Sequence, residues 1–83
     1  MNRILIKLYV PMIEEQYDIW IPLNKNIYNI IIILSQAINE LNRGYYQPKE
    51  IPILYNRANG KIYDLKIKII DTDIRSGTEL VLI

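Results

Sequence analysis

The sequence predicts an α+β fold in which one helix packs on a mixed sheet, with elements in the order ββαβββ. Three observations support this prediction: two alternating stretches at the start, a helical stripe of isoleucines in the middle, and short strand-like segments at the end. A chain of 83 residues supports one hydrophobic core. We therefore expect a single domain over residues 1–83.

The first two strands are predicted from alternation of apolar side chains in RILIKLYV and YDIWIPL, which a turn at Pro11 separates. The predicted inner face carries Ile4, Ile6, Leu8, Val10, Tyr17, Ile19, Ile21 and Leu23. The predicted outer face carries Leu5, Lys7, Tyr9, Asp18, Trp20 and Pro22. A shift of one residue would exchange the two faces.

The segment NKNIYNIIIILSQAINELNRG is predicted to form the helix. Its four consecutive isoleucines favour a strand by propensity, but the length and the helical spacing of its apolar residues favour a helix. Asn24 or Asn26 is expected to cap the start and Gly44 the end, leaving about 16 residues, too few to span a bilayer. We expect no membrane insertion. The predicted apolar stripe comprises Ile27, Ile30, Ile31, Leu34, Ala37, Ile38 and Leu41.

The remaining strands are short. IPILYNRANGKIYDL predicts two strands around a turn at Asn59-Gly60, where positive φ favours these residue types, and Pro52 suits a strand entry. TELVLI predicts the last strand, with Leu80 and Leu82 inward and with Glu79, Val81 and Ile83 outward.

The composition disfavours several classes of function. Ten Lys and Arg against nine Asp and Glu give a net charge of +1 without a basic block, so we expect no nucleic-acid partner. Cysteine and histidine are absent, which removes thiol chemistry and the commonest metal ligand and general base. No secretory signal pattern is recognisable at the start, so we expect a cytoplasmic protein.

Two acidic pairs, Glu14 with Glu15 and Asp71 with Asp73, fall on predicted turns. Such pairs are interpreted as solvated charges rather than a catalytic dyad or a metal site. Asp71 is expected to accept hydrogen bonds from nearby backbone N–H groups. We predict that the protein is not an enzyme and has no cofactor, no metal and no catalytic residue.

The order of elements and several motifs resemble the β-grasp fold of ubiquitin. KIIDTDI resembles a ubiquitin segment at Ile69, Asp71 and Ile74, and ILYNRANGKIYD lies where ubiquitin has its third strand, turn and fourth strand. Through YDIWI, KIYDLKIKIIDTDI and SGTELVLI, almost the whole chain resembles the YukD/EsaB family of small bacterial ubiquitin-like proteins. That family accompanies type VII secretion systems, so the resemblance implies an accessory or regulatory role in secretion.

The C-terminal stretch SGTELVLI bears on conjugation. Conjugating ubiquitins and sulfur carriers of this fold need a flexible terminal di-glycine, whereas here no glycine follows Gly77. If the encoded protein ends at Ile83, conjugation and sulfur transfer are excluded, which agrees with the family that the chain resembles.

The outer sheet face is the predicted protein-binding surface, because Trp and Tyr are enriched in binding hot spots and the corresponding face of ubiquitin binds most of its partners. Its predicted contact residues are Leu5, Lys7, Tyr9, Trp20, Leu54, Val81 and Ile83. In the alternative interpretation, Trp20 packs under the first loop or closes one end of the core. Tyr28 and Ile32 form a weaker second candidate surface, and Tyr45 and Tyr46 are expected to pack in a loop.

Three functions follow from these patterns. The first is a non-catalytic ubiquitin-like interaction module of a type VII secretion system, with a protein partner. The second is a ubiquitin-like modifier or sulfur carrier whose tail continues beyond Ile83. The third is a self-associating domain, so that the expected state is a monomer or a weak homodimer.

Overall fold

The structure, a computed structural model, describes residues 2–83. Strands β1 (Arg3–Val10) and β2 (Glu15–Pro22) precede helix α1 (Ile27–Leu41), and β3 (Leu54–Asn56) and β4 (Glu79–Leu82) follow it. Short 3₁₀ turns occupy Pro11–Ile13 and Ile69–Asp71. The predicted α+β fold with one helix on a mixed sheet is confirmed.

The four strands form one sheet in the order β2-β1-β4-β3. β1 pairs antiparallel with β2 and parallel with β4, and β3 pairs antiparallel with β4. The prediction of a strand after the Asn59-Gly60 turn is wrong. This segment makes a single bridge, between Tyr55 and Ile62, and does not form a strand. The strand order along the chain is therefore ββαββ within the described residues.

Alternation correctly predicts the inner faces of β1 and β2. Ile6, Leu8, Val10 and Ile21 are fully buried, while Ile4, Tyr17, Ile19 and Leu23 pack against the core from its margins. Burial of one such side chain stabilises the fold by roughly 1.5–3 kcal/mol. The first hairpin is thus fixed against the helix by one continuous set of apolar side chains.

Helix α1 begins at the second of its two candidate caps. The side chain of Asn26 accepts a 2.9 Å hydrogen bond from the backbone N–H of Asn29. At the other end, Gly44 has φ 84° and donates its N–H to the carbonyl of Asn39 at 2.7 Å. The buried residues of helix α1 are Ile27, Ile30, Ile31, Leu34 and Ile38.

The predicted apolar stripe of α1 is wrong at its end. Leu41 is the last helical residue and is 61% exposed, so the buried stripe ends one turn earlier, at Ile38. In the following loop Tyr46 is buried, as predicted, and its backbone accepts from Asn39 Nδ2 and donates to Asn42 Oδ1. Tyr45 is exposed and does not pack in the loop.

Candidate protein-docking face

The outer sheet face lies on the side of the sheet away from α1. Register brings its side chains together in rows, with Leu5 opposite Trp20 and Lys7 opposite both Asp18 and Glu79. Paired residues of adjacent strands point to the same side of a sheet. Four predicted contact residues of β1 and β2, namely Leu5, Lys7, Tyr9 and Trp20, therefore share this face.

Trp20 is the largest side chain on the face and is 52% exposed. It does not close the core, because the buried cluster packs on the opposite side of β2. The guanidinium of Arg3 lies 6.0 Å from the centroid of the indole ring, at the outer limit of a cation–π contact. Trp20 therefore presents a large apolar surface with a cation beside it.

Tyr9 lies further along the same strand and is covered by a second arginine. The guanidinium of Arg57 is 5.2 Å from the centroid of the Tyr9 ring, and its Nη1 is 3.7 Å from Glu79 Oε1. Both charged side chains are about half exposed, so this ion pair contributes at most about 1 kcal/mol. The same guanidinium thus contacts both the Tyr9 ring and Glu79.

Val81 lies on the predicted side of the sheet, but the prediction that it is an exposed contact residue is wrong. It is 2% exposed, and register places Tyr9 on one side of it and Tyr55 on the other. The two tyrosines cover the smaller valine. Val81 therefore supports the aromatic side chains of the face from beneath.

The prediction that Leu54 lies on the outer face is wrong. Its register partner is Leu82, and both belong to the core cluster on the helix side of the sheet. Because side chains alternate along a strand, Tyr55 takes the outer-face position that we predicted for Leu54. Because of this shift of one residue, Tyr55 is not among the predicted contact residues. Arg3 and Arg57 are not among them either, because alternation does not indicate which cation lies over an aromatic ring.

Ile83 lies at the end of the face furthest from Trp20 and is 60% exposed. Its backbone N–H and C=O pair with those of Ile53 at 2.9 Å each, which extends the β3–β4 ladder by one pair. Of the predicted contact residues on the outer face, four are thus on β1 and β2, Val81 is buried among them, and Ile83 lies at the far end.

Two acidic residues, Asp64 and Asp73, are held by local hydrogen bonds. Asp73 Oδ1 accepts from the Tyr63 hydroxyl at 2.8 Å, and Asp64 Oδ1 accepts from the backbone N–H of Lys66 at 2.8 Å. Asp71 was predicted to accept hydrogen bonds from nearby backbone N–H groups, but it makes no side-chain hydrogen bond within residues 2–83. The neighbouring Thr72 hydroxyl accepts one from the N–H of Ile74 instead. Residues 2–83 hold no group of three or more acidic side chains suited to a metal ion.

Burial perturbs the phenol groups of the core. It raises the pKa of Tyr63, with the hydrogen bond from Asn56 opposing that rise and Asp73 reinforcing it. Burial likewise raises the pKa of Tyr46, and the neighbouring Ser35 hydroxyl lowers it in part. Both phenols lie away from the outer face, which consists of aromatic, aliphatic and charged side chains.

The second candidate surface, on α1, is smaller. Tyr28 is 40% exposed and Ile32 is partly buried. Within the described part of the chain, the outer sheet face is therefore the main aromatic surface.

No helix within residues 2–83 is both long enough and apolar enough to cross a membrane.

Comparison with known proteins defines the class of fold. No protein-family model matches the chain, and no curated protein is similar to it in sequence. The EccD5 ubiquitin-like domain from Mycobacterium xenopi is similar in structure, with a TM-score of 0.80, 14% identity, and coverage of 99% of this chain and 93% of that one. The fold is therefore ubiquitin-like, as the order of its elements predicts.

Two further solved structures show how widely this fold occurs. The ubiquitin-like domain of the Mycobacterium tuberculosis type VII secretion system protein EccD1 has a TM-score of 0.78, 11% identity, and coverage of 100% and 99%. A chain of a toluene 4-monooxygenase HD complex has a TM-score of 0.79, 6% identity, and coverage of 96% and 95%. At these identities the similarity shows the fold alone, and fold does not determine function.

Proposed function

We propose that this protein is a non-catalytic ubiquitin-like interaction module that serves as an accessory or regulatory component of a bacterial type VII secretion system. The observation that carries the proposal is the half-exposed indole of Trp20, which lies beside Leu5 and Arg3 on a sheet face that no helix or strand of residues 2–83 covers. We further propose that it acts in the cytoplasm and is related to the YukD/EsaB proteins.

The chemistry of the face supports protein binding. Trp, Tyr and Arg are the residue types most enriched in binding hot spots, because they bury large areas and keep polar groups for orientation. Trp20, Tyr9 and Arg3 supply one of each. The side chains are held by the β1–β2 ladder, so a partner would meet a surface that is already ordered.

The type of partner is suggested by the comparisons. The EccD domains match this chain over nearly its full length, and the EccD1 protein is a type VII secretion component. The motif resemblance to YukD/EsaB proteins points to the same system. Together they support a secretion-machinery protein as the partner in preference to a nucleic acid or a small molecule.

Capture of partners from the source bacterium tests this proposal. The wild-type protein, Trp20→Ala and a control variant, Leu41→Ala, are used as baits, and bound proteins are identified by quantitative mass spectrometry. Leu41 is about as exposed as Trp20 but lies at the end of α1, away from the outer face. We expect type VII components with wild type and Leu41→Ala, and at least tenfold less with Trp20→Ala, since hot-spot truncation costs about 2 kcal/mol or more.

Equal capture by the wild type and Trp20→Ala would contradict the role of the face. Self-association is the competing use of the same surface, and sedimentation at several concentrations distinguishes it. A dimer that dissociates on dilution and is lost in Trp20→Ala would assign the face to a second copy instead.

A further inference from the structure

The sheet has one long free edge, and this edge is β2. Within residues 2–83, β2 pairs with β1 and with no other strand. The opposite edge, β3, is only three residues long and is covered by the turn that follows it. There the N–H of Asn56 donates to Lys61 O at 2.9 Å, and the N–H of Gly60 donates to Asn56 O at 2.7 Å.

Hydrogen bonds to β4 fix the direction of the backbone groups of β1. Lys7 donates its N–H to Thr78 O at 3.0 Å, and Leu5 O accepts from the N–H of Gly77 at 2.7 Å. Odd-numbered residues of β1 therefore direct their backbone groups towards β4. Because these groups alternate along a strand, even-numbered residues of β1 direct theirs towards β2.

The same alternation determines which groups of β2 are free. Even-numbered residues of β1 lie opposite odd-numbered residues of β2, for example Leu8 opposite Tyr17. The odd residues of β2 thus bond to β1, and the N–H and C=O groups of Gln16, Asp18 and Trp20 point to solvent. All three residues are exposed. Pro22, next in this series, has no N–H to leave unpaired, as is typical of an edge strand.

We propose that the β2 edge accepts an extended segment of a partner protein as an added strand, and that this segment is basic. A row of unpaired backbone donors and acceptors is a template for strand addition. Residues 8–24 contain Glu14, Glu15 and Asp18 and no Lys or Arg. Opposite charges across a strand pair stabilise it, and like charges destabilise it.

The charges also select between possible occupants. A second copy paired through its own β2 would bring two acidic edges together, which the charges oppose. On the helix side, an added strand would lie beside the half-buried Tyr17 and Ile19, where apolar residues fit. The preferred segment therefore alternates apolar residues with Lys or Arg, the basic residues lying on the outer side near Asp18.

Amide hydrogen exchange measured by NMR tests this inference directly. The probe is a blocked heptapeptide of alternating Val and Lys, and its control is the same peptide with Glu in place of Lys. We expect the Lys peptide to slow exchange at Gln16, Asp18 and Trp20 by at least tenfold, with little effect at Tyr17 and Ile19, which are already bonded to β1. The Glu peptide is expected to protect none of these amides.

Proline substitution separates backbone pairing from side-chain contact. Gln16→Pro removes only a solvent-facing N–H and leaves the β1–β2 bonds intact, whereas Gln16→Ala retains the N–H. Loss of one hydrogen bond and the steric block of the ring predict at least about tenfold weaker peptide binding by Gln16→Pro alone. Thermal denaturation of both variants verifies that they are folded.

Three results with the peptides and the variant would overturn the inference. They are absence of protection with the Lys peptide, equal protection by the Glu peptide, and unchanged peptide binding by folded Gln16→Pro. Protection that grows with protein concentration without peptide would also overturn it, in favour of a second copy. Strand addition at the β2 edge goes beyond the proposed function. The two are tested separately, because failure of the proposed function would appear in the Trp20→Ala capture experiment.

Discussion

The hydroxyl of Tyr63 donates a 2.8 Å hydrogen bond to Asp73 Oδ1, which joins the turn after β3 to the segment before β4. The same hydroxyl accepts a 3.2 Å hydrogen bond from Asn56 Nδ2. Asn56 is the one buried polar residue within the described chain, and Tyr63 is also buried. The phenol thus satisfies an amide that burial separates from water.

Removal of this hydroxyl is expected to destabilise the protein. Tyr63→Phe leaves Asn56 Nδ2 buried without an acceptor, which costs about 1–3 kcal/mol. Urea denaturation measures the loss. The control is Tyr55→Phe, because the Tyr55 hydroxyl makes no hydrogen bond within residues 2–83, and we expect that variant to lie within about 0.5 kcal/mol of wild type. Equal losses would contradict this role of Tyr63.

Stability is expected to fall in alkali. Burial raises the pKa of Tyr63 and of Tyr46 above the ordinary tyrosine value of 10.0. Above pH 10.0 the unfolded chain loses these protons before the folded protein does, so the free energy of unfolding falls as pH rises through the folded-state pKa. Below the ordinary value this contribution is fully present.

Urea denaturation at a series of alkaline pH values checks this expectation. Tyr63→Phe removes one of the tyrosines with a raised pKa, so its free energy of unfolding should fall less steeply with pH than that of wild type. An identical slope in the two proteins would show that Tyr63 does not contribute to the alkaline loss of stability.

Truncation of neighbouring residues tests the register of β3. Leu54 is 1% exposed in the core, whereas Ile53 is 48% exposed on the outer side. We expect Leu54→Ala to cost about 2–5 kcal/mol and Ile53→Ala less than about 1 kcal/mol. Denaturant unfolding of the two variants gives the comparison. A larger loss for Ile53→Ala would mean that the strand is shifted by one residue.

The start of α1 provides a fourth test. Asn26→Ala removes the side-chain acceptor for the N–H of Asn29 and should cost about 1 kcal/mol. Asn24→Ala is the matched control, because Asn24 is an exposed turn residue and the cap of α1 is Asn26. Thermal denaturation with helix content followed by circular dichroism distinguishes the two. A greater loss of helix in Asn24→Ala would place the cap at Asn24.

Long elements could be predicted from the sequence because their patterns are redundant. Eight residues of alternation determine the inner face of β1, and five buried residues of α1 repeat at helical spacing. An error in register would have contradicted several residues at once. The outward direction of Trp20 follows from that redundancy and is correct.

Short elements could not be predicted in the same way. β3 has three residues within IPILYN, where Ile51, Ile53 and Leu54 offer two alternations of similar apolar character. Leu54 lies in the core because β3 pairs with β4 so that Leu54 is opposite Leu82. The local sequence around Leu54 does not indicate this pairing. Val81 shows a second limit, since its burial depends on tyrosines from two other strands.

The most direct test of the central claim uses the fact that Trp20 is the only tryptophan. The protein labelled with 5-fluorotryptophan gives one ¹⁹F resonance, which is followed by NMR during titration with the type VII component recovered in the capture experiment. We predict a shift of that resonance that saturates with the partner, because binding desolvates the indole. A complex that forms by sedimentation while the resonance stays unchanged would contradict the claim that this face binds the partner.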